Sequence, residues 1–214
     1  MSTLNVDNIN EYTTDGKVNV GHDIKLASGK SVLNSDGKKT GALVSLATST
    51  ASDSATITFD NFVDNSTYSY YKLILEEFIP ASDSAVLHFV FRSGGASGAD
   101  MTGTYYRSGS YEYMDNASSA QYNNASNTDY VRTSFNYGNG TNENFSSEVT
   151  LYPNNGQSLS KGIHEYIGRR NTPLLIRVQD NFILDNATAM TGIKIEFSSG
   201  NITSGIATLY GMKR

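Results

Sequence analysis

The residues of this 214-residue chain whose types could do chemistry are three histidines, a Gly-Lys-Ser triplet, a scatter of carboxylates and a concentration of tyrosines. Gly29-Lys30-Ser31 ends as a phosphate-cradling loop ends. Such a loop also needs a glycine five positions before Gly29, and that position is Ile24, so a tight turn accounts for the triplet. His22, His88 and His164 are far apart in the chain, and none has a neighbour at metal-ligand spacing. There is no Gly-x-Ser-x-Gly elbow. The absence of cysteine removes disulfides, thiolate zinc sites and cysteine nucleophiles together. A glycosidase needs two carboxylates held a few ångströms apart. Glu76 and Glu77 are adjacent and on a strand would point to opposite faces, while Glu148, Glu165 and Glu196 belong to separate strands and read as solvated. Asp83, Asp100 and Asp115 lack the order of a calcium loop. These residues predict no catalytic group, no metal and no cofactor.

The tyrosines are the remaining candidates. Tyr105, Tyr106, Tyr111, Tyr113, Tyr122, Tyr130 and Tyr137 lie among Asn, Ser and Gly. A tyrosine offers a flat apolar face and a hydroxyl, and Asn and Ser add adaptable hydrogen bonds, a mixture that antibody paratopes use. Stacking with hydrogen bonding is also what saccharide recognition requires. We single out Tyr105, Tyr106, Tyr111, Tyr113, Tyr122 and Tyr130 as candidate ligand contacts. The competing reading packs them on loops or against a neighbouring subunit.

Positioning these residues falls to strands. Tyr70–Ile79 and Ala85–Arg92, rich in β-branched and aromatic residues, flank Pro80-Ala81-Ser82-Asp83-Ser84, the pattern of a hairpin. Tyr71, Leu73 and Leu75 should share one face with Leu87, Phe89 and Phe91, while His88 faces outward. Residues 42–46 read as a first strand and 47–54 as a polar connector. Ala55–Phe59 alternates with Ile57 and Phe59 inward. The Gly-, Ser- and Asn-rich residues 93–144 suggest only short edge strands, at 104–107 and 130–135, between long loops. Strands follow at Phe145–Tyr152, Lys161–Arg170, Leu174–Val178, Thr191–Phe197 and Ile206–Met212. Helical periodicity nowhere exceeds a turn. The fold class expected is all-β, an antiparallel β-sandwich of the jelly-roll kind over residues 41–214.

Residues 1–40 differ from the rest. Leu4, Val6, Ile9, Val18, Val20, Ile24 and Leu26 come singly or in pairs between the turns Asp15-Gly16-Lys17, Ser28-Gly29-Lys30 and Asp36-Gly37-Lys38. Strands this short cannot build a core alone. They need other copies to complete one, which makes this an oligomerisation and attachment segment, or else they form a loosely docked tail.

The net charge of −5 gives no electrostatic case for nucleic acid or an anionic membrane. No apolar run approaches a membrane span, and Met1–Asp7 has neither the basic nor the apolar region of a signal peptide. Seven Asn-x-Ser/Thr triplets carry no weight in a chain so rich in these residues. Fourteen Tyr with no Trp and few charges suits extracellular β-proteins or phage structural proteins. The segment Gly192–Gly211, with Gly200-Asn201-Ile202-Thr203-Ser204-Gly205 leading to Leu209-Tyr210-Gly211, resembles virion structural and tail-fibre proteins of marine bacteriophages, cyanophages included. Phe59-Asp60-Asn61-Phe62 with residues 68–82, and the opening Met1–Ile9, are similar to the same family; residues 93–144 are not. The resemblance implies a non-enzymatic virion component, often trimeric, on a fibre or head appendage. Its partners would be other virion proteins and a host-surface polysaccharide, or virion proteins alone.

Overall fold

The computed structural model describes residues 43–113, 119–126, 129–153, 159–169 and 175–214, with backbone only at Tyr113, 119–126, Ser134, Phe135, Arg169 and Leu175. Leu4, Val6, Ile9, Val18, Val20, Ile24 and Leu26, and the attachment segment expected from them, lie outside the described residues. The described strands fall within a compact unit spanning Thr40–Arg214.

Thirteen strands form among the described residues: β1 (Leu43–Ser54), β2 (Thr56–Phe59), β3 (Tyr68–Pro80), β4 (Ala85–Ser93), β5 (Ala99–Asp100), β6 (Thr104–Tyr113), β7 (Ser119–Ser126), β8 (Val131–Tyr137), β9 (Phe145–Tyr152), β10 (Lys161–Arg169), β11 (Leu175–Asp185), β12 (Gly192–Phe197) and β13 (Ile202–Lys213). They make two antiparallel sheets. The larger has the order β1-β13-β3-β9-β10-β11-β6-β7. The smaller has the order β2-β12-β4-β5, with β8 also paired to β4. The described residues therefore form an all-β antiparallel sandwich. Its core is one continuous cluster to which both sheets contribute, Leu73, Val149 and Leu209 from the larger and Phe89, Phe91 and Ile195 from the smaller, all fully buried. Each such side chain contributes roughly 1.5–3 kcal/mol by leaving water.

The expected hairpin does not form. β3 lies between β13 and β9 in the larger sheet, and β4 lies beside β12 in the smaller one. Residues 81–84 carry the chain from one layer to the other, with Ser84 at φ 59°. The face assignment survives because an apolar face looks the same in sequence whether its partner lies beside it or opposite it. Tyr71, Leu73 and Leu75 do face Leu87, Phe89 and Phe91, across the sandwich rather than along one sheet. Glu76 and Glu77 do not split between faces. The register slips between Leu75 and Phe78, Glu77 takes φ 53°, and both glutamates are exposed.

Polar strands are longer than their alternation suggests. The supposed connector 47–54 is the body of β1, an edge strand on β13 with Thr48 and Thr208 hydroxyls 3.3 Å apart. β11 runs on to Asp185 and β6 to Tyr113, and β7 pairs with β6. β13 begins at Ile202, immediately after a turn with Gly200 at φ 70°. Asn201 clamps this turn by donating to the Asp53 carbonyl and to Asp53 Oδ1, each at 3.0 Å. Gly205, at φ 143°, lies where a Cβ would come within 2.4 Å of the Phe78 ring.

The outer face of the smaller sheet is covered. β4 is buried on both faces from Ala85 to Phe91. His88 points away from the core, as expected, yet is only 7% exposed because the Tyr130 ring stacks on it at 3.9 Å. Arg92 pairs with Asp60 at 2.8 Å and with Asp100, while Lys194 bridges Asp100 and Glu196 at 2.6 and 3.0 Å.

Candidate binding groove on the larger sheet

Among the described residues, no element covers the outer face of the larger sheet. Antiparallel pairing sets side chains in rows across the strands. Leu151, Gly162 and Phe182 are buried and in register, so their neighbours Tyr152, Lys161, Ile163, Asn181 and Ile183 project the other way, outward. One outward row reads Tyr152, Lys161, Ile183, Tyr106 on β9, β10, β11 and β6. The next reads Thr150, Ile163, Asn181, Ser108. Residues of both rows line a groove of about 840 Å³. Tyr106 (48% exposed) and Tyr152 stand at its two sides, with Ile163 and Ile183 between them. Three strand-to-strand steps separate the tyrosines, about 14 Å. Tyr70 extends the aromatic side, its ring 5.8 Å from that of Tyr152. Asn181, Ser108 and Lys161 supply hydrogen-bonding groups. Flat apolar faces beside amide, hydroxyl and ammonium groups can stack on a ring and bond its substituents.

The tyrosines singled out from the sequence are not brought together. Tyr105 is 1% exposed and accepts the Phe91 backbone N–H at 3.0 Å, and burial pushes its hydroxyl pKa up. It is scaffold and cannot meet a ligand. Tyr137 is likewise core, packed 4.1 Å from Phe145 and 5.0 Å from Tyr166. Tyr111 is half-buried against the core, and Tyr130 is spent on His88. The Tyr113 and Tyr122 side chains lie outside the described residues. Among those whose side chains are described, Tyr106 alone joins the groove. Sequence reasoning missed Tyr152, Lys161, Asn181 and Ile183. The usable signal was alternation: Lys161, Asn181 and Ile183 each stand between two buried residues, and Tyr152 follows buried Leu151.

A second depression of about 600 Å³ lies on the same face, further along β10. There Glu148 and Glu165 stand directly opposite each other on β9 and β10. Glu148 is paired with Lys72, and Gln179 donates to Glu165 at 3.3 Å. Both carboxylates are thus engaged with neighbours.

Of the three histidines, His22 lies outside the described residues, and His88 and His164 are both buried. His164 is fully buried on the core side of β10, with Nδ1 3.3 Å from Asp180 Oδ2 and its ring edge-on to Phe89. Burial pushes its pKa down to about 3. The Asp180 charge also acts on Arg107, whose pKa burial lowers and whose Nη1 donates to the Arg132 carbonyl. Burial, with the charges of Arg132 and Lys194, takes His88 down to about 4. Among the described residues no three His, Cys, Asp or Glu side chains gather as a metal site would. No protein-family model, no curated protein and no solved structure matches the chain.

Proposed function

We propose that this chain is a non-enzymatic virion structural protein, a tail-fibre or capsid-appendage component, that contacts a host-surface saccharide through the outer face of its larger sheet. The groove between Tyr106 and Tyr152 carries this reading, because it combines exposed aromatic faces with Asn181, Ser108 and Lys161 on a rigid sheet. The phage setting rests on the resemblance of Met1–Ile9, residues 59–82 and Gly192–Gly211. In the same proposal residues 1–40 attach the sandwich to the particle and make a trimer. The test is a glycan array probed with the full chain and with Tyr106→Ala/Tyr152→Ala. The reading expects saccharide binding that the double variant loses while its circular dichroism is unchanged. Equal binding by both proteins would refute it.

A second reading is purely architectural, with other virion proteins as the sole partners. It is favoured by Leu43, Ile167 and Ile206, which are 45%, 62% and 41% exposed on the same face but outside the groove. Decoration of particles by a chain that binds no saccharide on the array would support this reading over the first.

A further inference from the structure

We infer that the saccharide bound in the groove is anionic, carrying carboxylate or sulfate groups, and that Lys161 selects it. This rests on the groove being a saccharide site, as proposed above. The chain as a whole is acidic, with 21 Asp and Glu against 16 Lys and Arg. The groove reverses that balance: its charged lining residues are Lys161 and Arg107, and neither Asp nor Glu lines it. Arg107 is already committed inward, where its guanidinium donates to the Arg132 carbonyl and meets the Asp180 charge. Lys161 is different. It is exposed, it forms no ion pair among the described residues, and its register partners are Tyr152 on one side and Ile183 on the other.

Three cations on the two sheets are neutralised, Lys72 by Glu148, Arg92 by Asp60 and Asp100, and Lys194 by Asp100 and Glu196; Lys161 differs from the exposed Arg177 on the same face in lining the groove. An uncompensated ammonium in the middle of an aromatic row is placed to meet an acidic group on a ring that stacks on either tyrosine. Of the acids on this face, Glu148 and Glu165 lie in the second depression, Glu112 is in register with Arg177, and Asp185 stands one row beyond Ile183, outside the groove lining. The anionic group is expected beside Lys161, between Tyr152 and Tyr106, where no carboxylate lines the groove. The span of about 14 Å between the tyrosines suits an oligosaccharide rather than a single sugar.

The experiment uses the full chain and Lys161→Gln on an array carrying uronic-acid, sialylated, sulfated and neutral oligosaccharides, followed by calorimetry on the tightest ligand at two salt concentrations. The inference expects acidic saccharides to lead. It expects Lys161→Gln to weaken them roughly five- to ten-fold, as loss of one charge-assisted contact does at a partly exposed site, and to flatten the salt dependence. Neutral saccharides bound equally by both proteins, and lost only with the two tyrosines, would overturn the inference while leaving the saccharide reading intact. Acidic saccharides bound with no change in Lys161→Gln would overturn the role of Lys161. Binding of no saccharide would overturn both the inference and the reading beneath it.

Discussion

His164 should make this sandwich acid-sensitive. Its imidazole lies between the sheets at 0% exposure, beside Asp180 and edge-on to Phe89, and its Nε2 has no hydrogen-bond partner among the described residues. In the folded state it protonates at about 3, against 6.5 for the free side chain. Between those values the unfolded chain holds a proton that the folded chain refuses. Stability from this group is complete above pH 6.5 and is lost as pH falls toward 3. The shift corresponds to at most roughly 5 kcal/mol at ~1.36 kcal/mol per pH unit. The Asp180 carboxylate at 3.3 Å favours the imidazolium, so the realised loss should be smaller, about 2–4 kcal/mol. That is a large part of the ~5–15 kcal/mol by which a domain is stable. His164→Gln keeps an amide donor for Asp180 and removes the titration. Urea unfolding of both proteins between pH 7 and 4.5, followed by tyrosine fluorescence because the chain has no tryptophan, should show wild-type stability falling with pH. His88, protonating at about 4, adds to the same slope, so the variant should retain a reduced dependence. A variant whose stability falls with pH as steeply as wild type would refute the assignment to His164.

Three further outcomes follow from the packing and the surface. Tyr105→Phe strips the buried Phe91 N–H of its acceptor and should cost about 1–3 kcal/mol in chemical denaturation without altering saccharide binding. Gly205→Ala combines φ 143° with a 2.4 Å approach to the Phe78 ring and should lower stability by about 2–4 kcal/mol, read as a drop in thermal midpoint. Tyr106→Ala removes a side chain that is half exposed on a sheet face, so denaturation should shift by under about 1 kcal/mol while binding is lost.

Much of the sandwich was legible because buried faces alternate. Ile57 and Phe59 in β2, and Ile193, Ile195 and Phe197 in β12, sit inward as their spacing requires. Illegible stretches were those in which polar residues form strands: β1 as a largely exposed edge that buries only Ala51, β7 at the opposite edge, and the far half of β11, where Asp180 is buried and polar. Strand partnership was also hidden. Nothing in residues 70–92 distinguishes a hairpin from a crossing between layers, because partners β12 and β13 lie more than a hundred residues away. The binding site was misplaced for a related reason. Tyrosine density in sequence marks both core and surface, and only the pairing of β6 with β11 and of β10 with β9 shows that Tyr106 and Tyr152 share a face while Tyr105 and Tyr137 fill the interior.

The most direct test of the account is amide chemical-shift mapping of the full chain with the tightest-binding oligosaccharide from the array. Saccharide recognition by the outer face of the larger sheet predicts perturbations centred on Tyr106, Tyr152, Lys161, Ile163, Asn181 and Ile183. Perturbations centred instead on residues 129–144, or on the face of the smaller sheet around His88 and Lys194, would contradict it.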